Sequence, residues 1–151
     1  MSRHLLVVHH SRGGATASLR DEALAGAAQV DVEVRSVGAF DAGVDDLVWA
    51  EAVLLCTPAN FGYMSGALKD FFERTFHACL DRTVGLPYAL LVKGDTDVEG
   101  AVASVERIVA GLRWRLLVPP LTVVGEVTDG DREAARELGS TIAAYLEAGI
   151  V

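Results

Sequence analysis

One segment near the start of the sequence combines hydroxyl side chains with adjacent glycines. Ser11 and Thr16 supply the hydroxyls, and Gly13 and Gly14 lie between them, directly before a segment predicted to be helical. Backbone amides at a helix N-terminus, together with the positive end of the helix dipole, favour a phosphate, and glycines let the backbone approach it closely. An ordinary glycine-rich turn capped by Ser and Thr has the same composition, so the segment alone leaves both interpretations open.

Several other kinds of site are disfavoured by this part of the sequence. No Gly-Lys-[Ser/Thr] follows the glycines and no GxGxxG occurs, which disfavours ATP with magnesium and a dinucleotide. What remains is a monophosphate held without a metal. His9 and His10 do not predict a metal site, because adjacent strand residues point to opposite faces and no Cys or carboxylate neighbours them. No Ser-His-Asp set occurs in a recognisable motif, so we assign neither catalytic nor metal-ligating residues.

A second segment places aromatic side chains beside a glycine after an apolar run. Residues 53–56 are apolar and stop at Thr57-Pro58. Proline fixes its own φ and restricts the residue before it, so we expect the strand to end in a turn there. The loop that follows carries Phe61, Gly62 and Tyr63, and large aromatic side chains at the end of a buried strand suit a flat ligand.

Strands and helices alternate along the sequence. Apolar runs predict strands at residues 4–9, 30–37, 52–56 and 88–92, and an interrupted edge strand at 114–118 and 121–124. Amphipathic spacing predicts helices at 17–27, 44–49, 64–80, 98–112 and 129–147. The 151 residues thus form a single α/β domain, residues 1–151, with a parallel sheet between helices. A ligand of such a fold lies beyond the carboxyl ends of the strands, where the loops 11–16, 57–63 and 93–97 meet.

Composition excludes several classes of function. A net charge of −8 argues against nucleic-acid binding, which needs clustered Lys and Arg, but permits docking to a basic protein partner. No apolar run has the length of a membrane span, about 18 residues. No export signal is recognisable, and Cys56 and Cys79 lack the spacing of a metal site or redox pair. We therefore expect a cytoplasmic protein with buried free thiols and without membrane contact.

Two segments resemble a known superfamily. Residues 57–76, TPANFGYMSGALKDFFERTF, resemble the long TP-x-(Tyr)-(Phe)-G-x-M-S-G-x-(Leu)-K-x-F segment of the NADPH-dependent FMN reductase and flavodoxin-like superfamily. Residues 11–16, SRGGAT, are similar to its phosphate loop. The resemblance implies a flavodoxin-like fold, which is a doubly wound three-layer sandwich with a five-stranded parallel sheet in the order 2-1-3-4-5. FMN would bind where the first and third strands diverge, and flavodoxin is itself an example of this rule.

The resemblance also implies roles for individual residues. The residues that would hold the FMN phosphate, two of them through backbone amides alone, are Ser11, Arg12, Gly13, Gly14, Ala15 and Thr16. The residues that would line the flavin ring are Thr57, Pro58, Ala59, Asn60, Phe61 and Gly62, with a third flavin-contacting loop at Lys93, Gly94 and Asp95. Position 60 is Asn where the superfamily often has an aromatic residue, so stacking falls to Phe61 or Tyr63.

The function implied by the resemblance is that of an FMN-binding oxidoreductase. NADPH or NADH would reduce FMN, and a quinone, a flavin or a similar acceptor would take the electrons. The cofactor carries such chemistry, so no acid or base side chain is required. Two alternatives stay open: a flavodoxin-type electron carrier that serves a redox partner protein, and a domain with weak or lost FMN binding. A homodimer is allowed, because a neighbouring subunit often completes the nicotinamide site in this superfamily.

Overall fold

In the computed structural model, which describes residues 2–151, strands and helices alternate except where β4 follows β3 and β7 follows β6. The strands are β1 (Arg3–His9), β2 (Val32–Gly38), β3 (Ala52–Asn60), β4 (Tyr63–Met64), β5 (Pro87–Gly94), β6 (Arg115–Leu116) and β7 (Leu121–Val124). The helices are α1 (Ala15–Ala27), α2 (Val44–Trp49), α3 (Gly66–Cys79), α4 (Val98–Leu112) and α5 (Asp129–Ala148). Each predicted element is present, with ends that differ by a few residues.

The sheet has the strand order β2-β1-β3-β5, and β6 and β7 both pair with β5. β6 runs parallel to the first residues of β5 and β7 to its last ones, so the two act as one strand interrupted at Pro119-Pro120. Proline cannot donate to a ladder, which explains the interruption at this edge. Counting that pair as one strand, the predicted order 2-1-3-4-5 is confirmed, and all its pairs are parallel.

Helices cover both faces of the sheet and create two separate cores. Leu6 and Val8 of β1 belong to the core that also holds Phe71 and Phe72 of α3, while Leu5 and Val7 belong to the core under α1 and α5. The alternation follows from the period of two along a strand. The continuous apolar runs of the central strands therefore reflect burial on both faces.

The helices α1 and α5 pack with their backbones in close contact. A Cβ atom added to Gly139 of α5 would overlap the carbonyl group of Ala23, and one added to Gly26 of α1 would overlap the carbonyl oxygen of Arg136. Only residues without a side chain permit this approach. These two glycines set the distance between the helices on this face.

β3 does not end at Pro58, and the predicted turn there is wrong. The strand continues to Asn60, and Pro58 is in register with Lys93 of β5. The carbonyl of Cys56 accepts from the amide of His10, so the backbone N–H and C=O of Cys56 point toward β1. Along a strand, these groups point to the same side at every second residue, so the backbone of position 58 also faces β1. Pairing of β1 with β3 ends at Cys56. The missing N–H of the proline therefore removes no ladder hydrogen bond.

No helix within residues 2–151 is long and apolar enough to cross a bilayer.

Candidate functional site

The loop between β1 and α1 is built on two consecutive glycines in the left-handed region. Gly13 has φ +81° and Gly14 has φ +93°, where any other L-residue would be strained. Gly14 is the N-cap of α1 and has no side chain, so the capping hydrogen bond comes from farther away: the Ser11 Oγ accepts from the amide of Ala17 at 3.1 Å. The loop thereby curls around the first turn of the helix.

The backbone amides of this loop have no hydrogen-bond acceptor among the residues that the structure describes. Across the described residues, no hydrogen bond to a protein acceptor is formed by the amides of residues 11–16. Arg12, Gly13 and Gly14 are exposed, whereas Thr16 is buried at the base of the loop. Arg12 has no carboxylate within 4 Å among the ion pairs of residues 2–151. Free amides, a helix N-terminus and an unpaired guanidinium make this a positive and donor-rich loop.

The second segment is a β-hairpin rather than an irregular loop. Asn60 pairs with Tyr63, and the two residues between them both have positive φ, +54° for Phe61 and +67° for Gly62. This is the geometry of a type I′ turn, which usually takes Asn-Gly. Holding Phe61 in the left-handed region costs about 1–2 kcal/mol. The Phe61 side chain is fully exposed, so no burial within the chain offsets that cost.

Hydrogen bonds from three elements hold the hairpin in place. The amide of Ser65 donates to the Thr57 Oγ1 at 2.9 Å, and the amide of Met64 donates to the Ser104 Oγ of α4 at 3.0 Å. Ser65 then caps α3 by accepting from the amide of Leu68 at 3.1 Å. The hairpin base is therefore rigid, and the turn projects from it.

The tip of the hairpin rests against the start of α4. Asp97, which caps α4 with φ +43°, accepts from the amide of Gly100 at 3.0 Å. A Cβ atom at Gly62 would overlap the Asp97 carboxylate, and one at Gly100 would overlap the carbonyl oxygen of Gly62. The backbone of the turn therefore lies directly against the first turn of α4. Gly62, Gly100 and Asp97 together position the turn that carries Phe61.

The third loop joins β5 to α4. The Nζ of Lys93 donates to the Oδ1 of Asp95 at 3.1 Å, and most of the lysine side chain is buried. Gly94 lies so close to β3 that an added Cβ atom would approach the Cβ of Ala59 to 2.8 Å. The positive charge of Lys93 is thus matched inside the loop, and the glycine allows the two strand ends to converge.

The structure brings the predicted site residues together at the carboxyl edge of the sheet. The amide of His10 donates to the carbonyl of Cys56, which joins the first loop to β3. Pro58 pairs with Lys93, which joins β3 to the third loop. Every residue proposed from the sequence therefore belongs to one of three adjoining segments, and the ring of Phe61 is the one that extends farthest into solvent.

A polar cluster beside the first loop was not found from the sequence. The Arg20 Nη1 lies 3.0 Å from the His9 Nδ1 and its Nη2 donates to Asp21 at 2.8 Å, while the ring of His10 lies edge-on to the exposed Phe40. His9, His10, Arg20 and Phe40 border a cleft of about 270 Å³ between the ends of β1 and β2. Burial, and then the Arg20 guanidinium, lower the pKa of His9. No local pattern in the sequence connects position 9 with position 20, whereas Asp97 could have been found as an aspartate preceding a helix.

Thiol and metal chemistry find no support at this edge. Cys56 is completely buried, and burial raises the pKa of its thiol to about 12, so the reactive thiolate is not formed near neutral pH. Within residues 2–151, no three His, Cys, Asp or Glu side chains lie close enough together to hold a metal ion.

Comparisons with known proteins identify the fold. No protein-family model and no curated protein match the sequence. Among solved structures, a flavodoxin from the domain Archaea superposes with a TM-score of 0.85 at 22% identity, covering 95% of this chain and 99% of that one. The fold is flavodoxin-like.

Two further structures share this flavodoxin-like fold. The WrbA-like flavodoxin from Agrobacterium tumefaciens has a TM-score of 0.79 at 20% identity and covers 97% of this chain and 99% of that one. The apo form of an NADH:FMN oxidoreductase has a TM-score of 0.79 at 18% identity and covers 96% of this chain and 90% of that one. Coverage near full length in each case means that the flavodoxin-like fold accounts for the whole chain.

Proposed function

We propose that this protein is an FMN-binding redox protein. The observation that carries the proposal is the set of amides at residues 11–16, which have no protein acceptor and surround the N-terminus of α1. They follow the end of β1, which lies between β2 and β3, the point where the strand order reverses and where ligands bind in doubly wound sheets. Similar folds in a flavodoxin and in an NADH:FMN oxidoreductase support the same choice of cofactor.

The residues of the first loop fit a phosphate monoester. The oxygens of a phosphate accept hydrogen bonds, and the loop offers amide donors together with the hydroxyls of Ser11 and Thr16. Gly13 and Gly14 allow close approach because no Cβ atom screens their amides, and Arg12 adds a positive charge. In the proposed complex, residues 11–16 hold the phosphate without a metal.

The flavin ring would lie along the ends of β3 and β5. Residues 57–62 and 93–95 would line it, with Phe61 and the half-exposed Tyr63 as the available aromatic side chains. A strained, exposed phenylalanine on a rigid hairpin is explained if its ring contacts a ligand, since strain of this kind concentrates at functional sites. When bound, FMN supplies the capacity to accept and pass on electrons, and the protein orients it and keeps solvent from one face.

We propose NADPH or NADH as the electron donor and a quinone, a flavin or a similar acceptor. The resemblance of residues 57–76 to FMN reductases supports this assignment. A carrier without a substrate of its own is the second candidate, and the full-length match to a flavodoxin favours it. Both are compatible with a homodimer or a redox partner protein. The buried free thiols of Cys56 and Cys79 support a reducing compartment such as the cytoplasm.

Comparing FMN with riboflavin tests the proposed phosphate site. The two ligands differ only in the phosphate, so FMN should bind at least about tenfold more tightly if charge-assisted bonds from residues 11–16 hold it. Fluorescence quenching of each flavin on titration with protein measures both affinities. Equal affinities would show that the first loop does not bind the phosphate. Failure to bind FMN at micromolar concentration would refute the proposed function altogether.

Anaerobic reduction separates the enzyme from the carrier. The FMN-loaded protein is mixed with NADPH or NADH without oxygen, and the flavin absorbance is followed. Bleaching by either nucleotide supports the reductase. Bleaching only by dithionite, or by a separate reductase protein, supports the carrier.

A further inference from the structure

An arginine-rich cleft lies at the amino edge of the sheet, opposite the candidate flavin site. Its volume is about 380 Å³, and it is bordered by the start of β1, the α2–β3 and α3–β5 connections and the start of β6. Arg3, Arg82 and Arg115 line it, and Glu51 is the single acidic side chain in its wall. Among the side chains of the lining, which also includes the terminal residue Val151, three arginines against one glutamate leave an excess of two positive charges, in a chain whose net charge is −8.

Two of these arginines, Arg82 and Arg115, have no ion-pair partner within residues 2–151. Nine of the thirteen Lys and Arg side chains form an ion pair within 4 Å inside residues 2–151. Those that do not are Arg12, Arg82, Arg107 and Arg115. Half of the unpaired cations therefore border one cleft. Arg3, the third, pairs with Glu51 at 3.1 Å, so the glutamate is already engaged and does not neutralise Arg82 or Arg115.

The wall that carries Arg82 is rigid. Thr83 is buried; its hydroxyl donates to the carbonyl of Cys79 at 3.0 Å and accepts from the Trp114 Nε1 at 2.9 Å. The amide of Arg115 donates to the carbonyl of Leu86 at 2.9 Å, which fixes β6 beside the same connection. The backbones of both unpaired arginines are thus held before any ligand arrives, which lowers the entropic penalty of binding.

Apolar side chains complete the cleft. Val48 of α2 and Val84 of the α3–β5 connection are 44% and 53% exposed, and both border it. Exposed valines beside unpaired guanidinium groups match a ligand with an anionic head and a small apolar body.

We propose that this cleft binds a phosphate monoester. A phosphate carries close to two negative charges at neutral pH, which the guanidinium groups of Arg82 and Arg115 can neutralise, and guanidinium groups donate to its oxygens in pairs. β3 spans nine residues, so its two ends lie roughly 25 Å apart. A ligand at the amino edge therefore makes no contact with the carboxyl edge, and the cleft is a second site independent of the proposed flavin chemistry.

The test is a titration of the full chain with phenyl phosphate and with inorganic phosphate, followed by amide NMR spectra. We expect the largest shift changes at Arg82, Val84 and Gly85, with phenyl phosphate binding more tightly than inorganic phosphate. Arg82→Gln and Arg115→Gln should each weaken binding about tenfold, because each removes a charge-assisted contact. Arg107→Gln is the matched control: it removes an equally unpaired arginine outside the cleft and should leave the affinity unchanged.

Three results would overturn the proposal. The first is that phosphate shifts only the amides of residues 11–16, which would assign it to the candidate flavin site and leave the proposed function intact. The second is that all three glutamine variants bind phenyl phosphate as the wild type does. A parallel titration with succinate tests whether the cleft binds carboxylates instead of phosphates. Binding of succinate without phenyl phosphate would refute the ligand class, whereas preference for phenyl phosphate supports it.

Discussion

Replacing Phe61 by Asn tests two properties of this residue separately: the backbone strain at position 61 and the proposed stacking of its ring on FMN. Phe61 occupies the left-handed region, where an L-residue other than Asn, Asp or Gly loses about 1–2 kcal/mol. Its ring is fully exposed, so removing it sacrifices no buried surface. Asn followed by Gly62 is the preferred type I′ pair. We therefore expect Phe61→Asn to stabilise the protein by about 1 kcal/mol, which raises Tm by roughly 2–4 °C in a chain of this size.

The same substitution should weaken FMN binding. Stacking of an aromatic side chain on a flat heteroaromatic ring contributes roughly 1–3 kcal/mol, by analogy with nucleic-acid bases. Because about 1.4 kcal/mol is a factor of ten, loss of that contact corresponds to an increase of roughly fivefold to 150-fold in the FMN dissociation constant. Differential scanning calorimetry without FMN and fluorescence titration with FMN measure the two effects independently.

Two further variants define the controls. Phe61→Tyr keeps both the ring and the strained backbone, so it should change neither quantity. Phe40→Asn removes another exposed ring at the same edge, but Phe40 is not in the left-handed region, so no gain in Tm is expected. A Tm for Phe61→Asn at or below that of the wild type would refute the strain at position 61. Unchanged FMN affinity would refute the stacking role while leaving the phosphate loop untested by this variant.

Three other predictions follow from the packing and the charges. Gly139→Ala should lower the free energy of unfolding by about 1–3 kcal/mol in urea titrations, because the new methyl group forces α1 and α5 apart. Gly130→Ala in the same helix should not, because its added Cβ atom makes only an ordinary contact of 3.7 Å with the Thr128 Oγ1. The pKa of His9 is lowered in the folded chain, so the unfolded chain binds a proton at this residue more readily. The free energy of unfolding should therefore fall as the pH drops below about 6.5. His9→Gln should flatten that decline, as the midpoints of urea unfolding at several pH values would show. Asp97→Ala should lower the free energy of unfolding by about 1 kcal/mol, because the cap of α4 is lost, and should weaken FMN binding by loosening the hairpin tip. Asp97→Asn should preserve both the stability and the FMN affinity. Thermal denaturation and flavin titration measure the two effects. Equal behaviour of Asp97→Ala and Asp97→Asn would contradict the cap.

Much of the architecture was predictable because it depends on local periodicity. The apolar runs of β1, β3 and β5 indicated strands buried on both faces, and the helical spacing of residues 64–80 and 98–112 located α3 and α4. Alternation of the two types requires a parallel sheet, and its carboxyl edge collects the loops. The strand order itself came from the resemblance of residues 57–76 and 11–16 to a known superfamily, since periodicity does not specify which strands are neighbours.

The errors arose where a residue's behaviour depends on a neighbour distant in sequence. Pro58 suggested the end of a strand, but β1 has already ended beside it, so no partner carbonyl lacks a donor. The hairpin at Phe61 was equally hidden, because phenylalanine is not a type I′ residue and the close approach of Gly62 to Asp97 depends on the packing of the turn against α4.

The sequence by itself determined the α/β class, the position of the three loops and the donor-rich character of residues 11–16, because hydrophobic period and side-chain type are local properties. Tertiary structure alone decided which charges meet. Arg82 and Arg115 join Arg3 at one edge, and Arg20 reaches His9 at the other, through the packing of elements separated by many residues. Electrostatic and packing interactions act over a few ångströms of space, whatever the separation along the chain, so sites built from distant segments become visible only in the folded molecule.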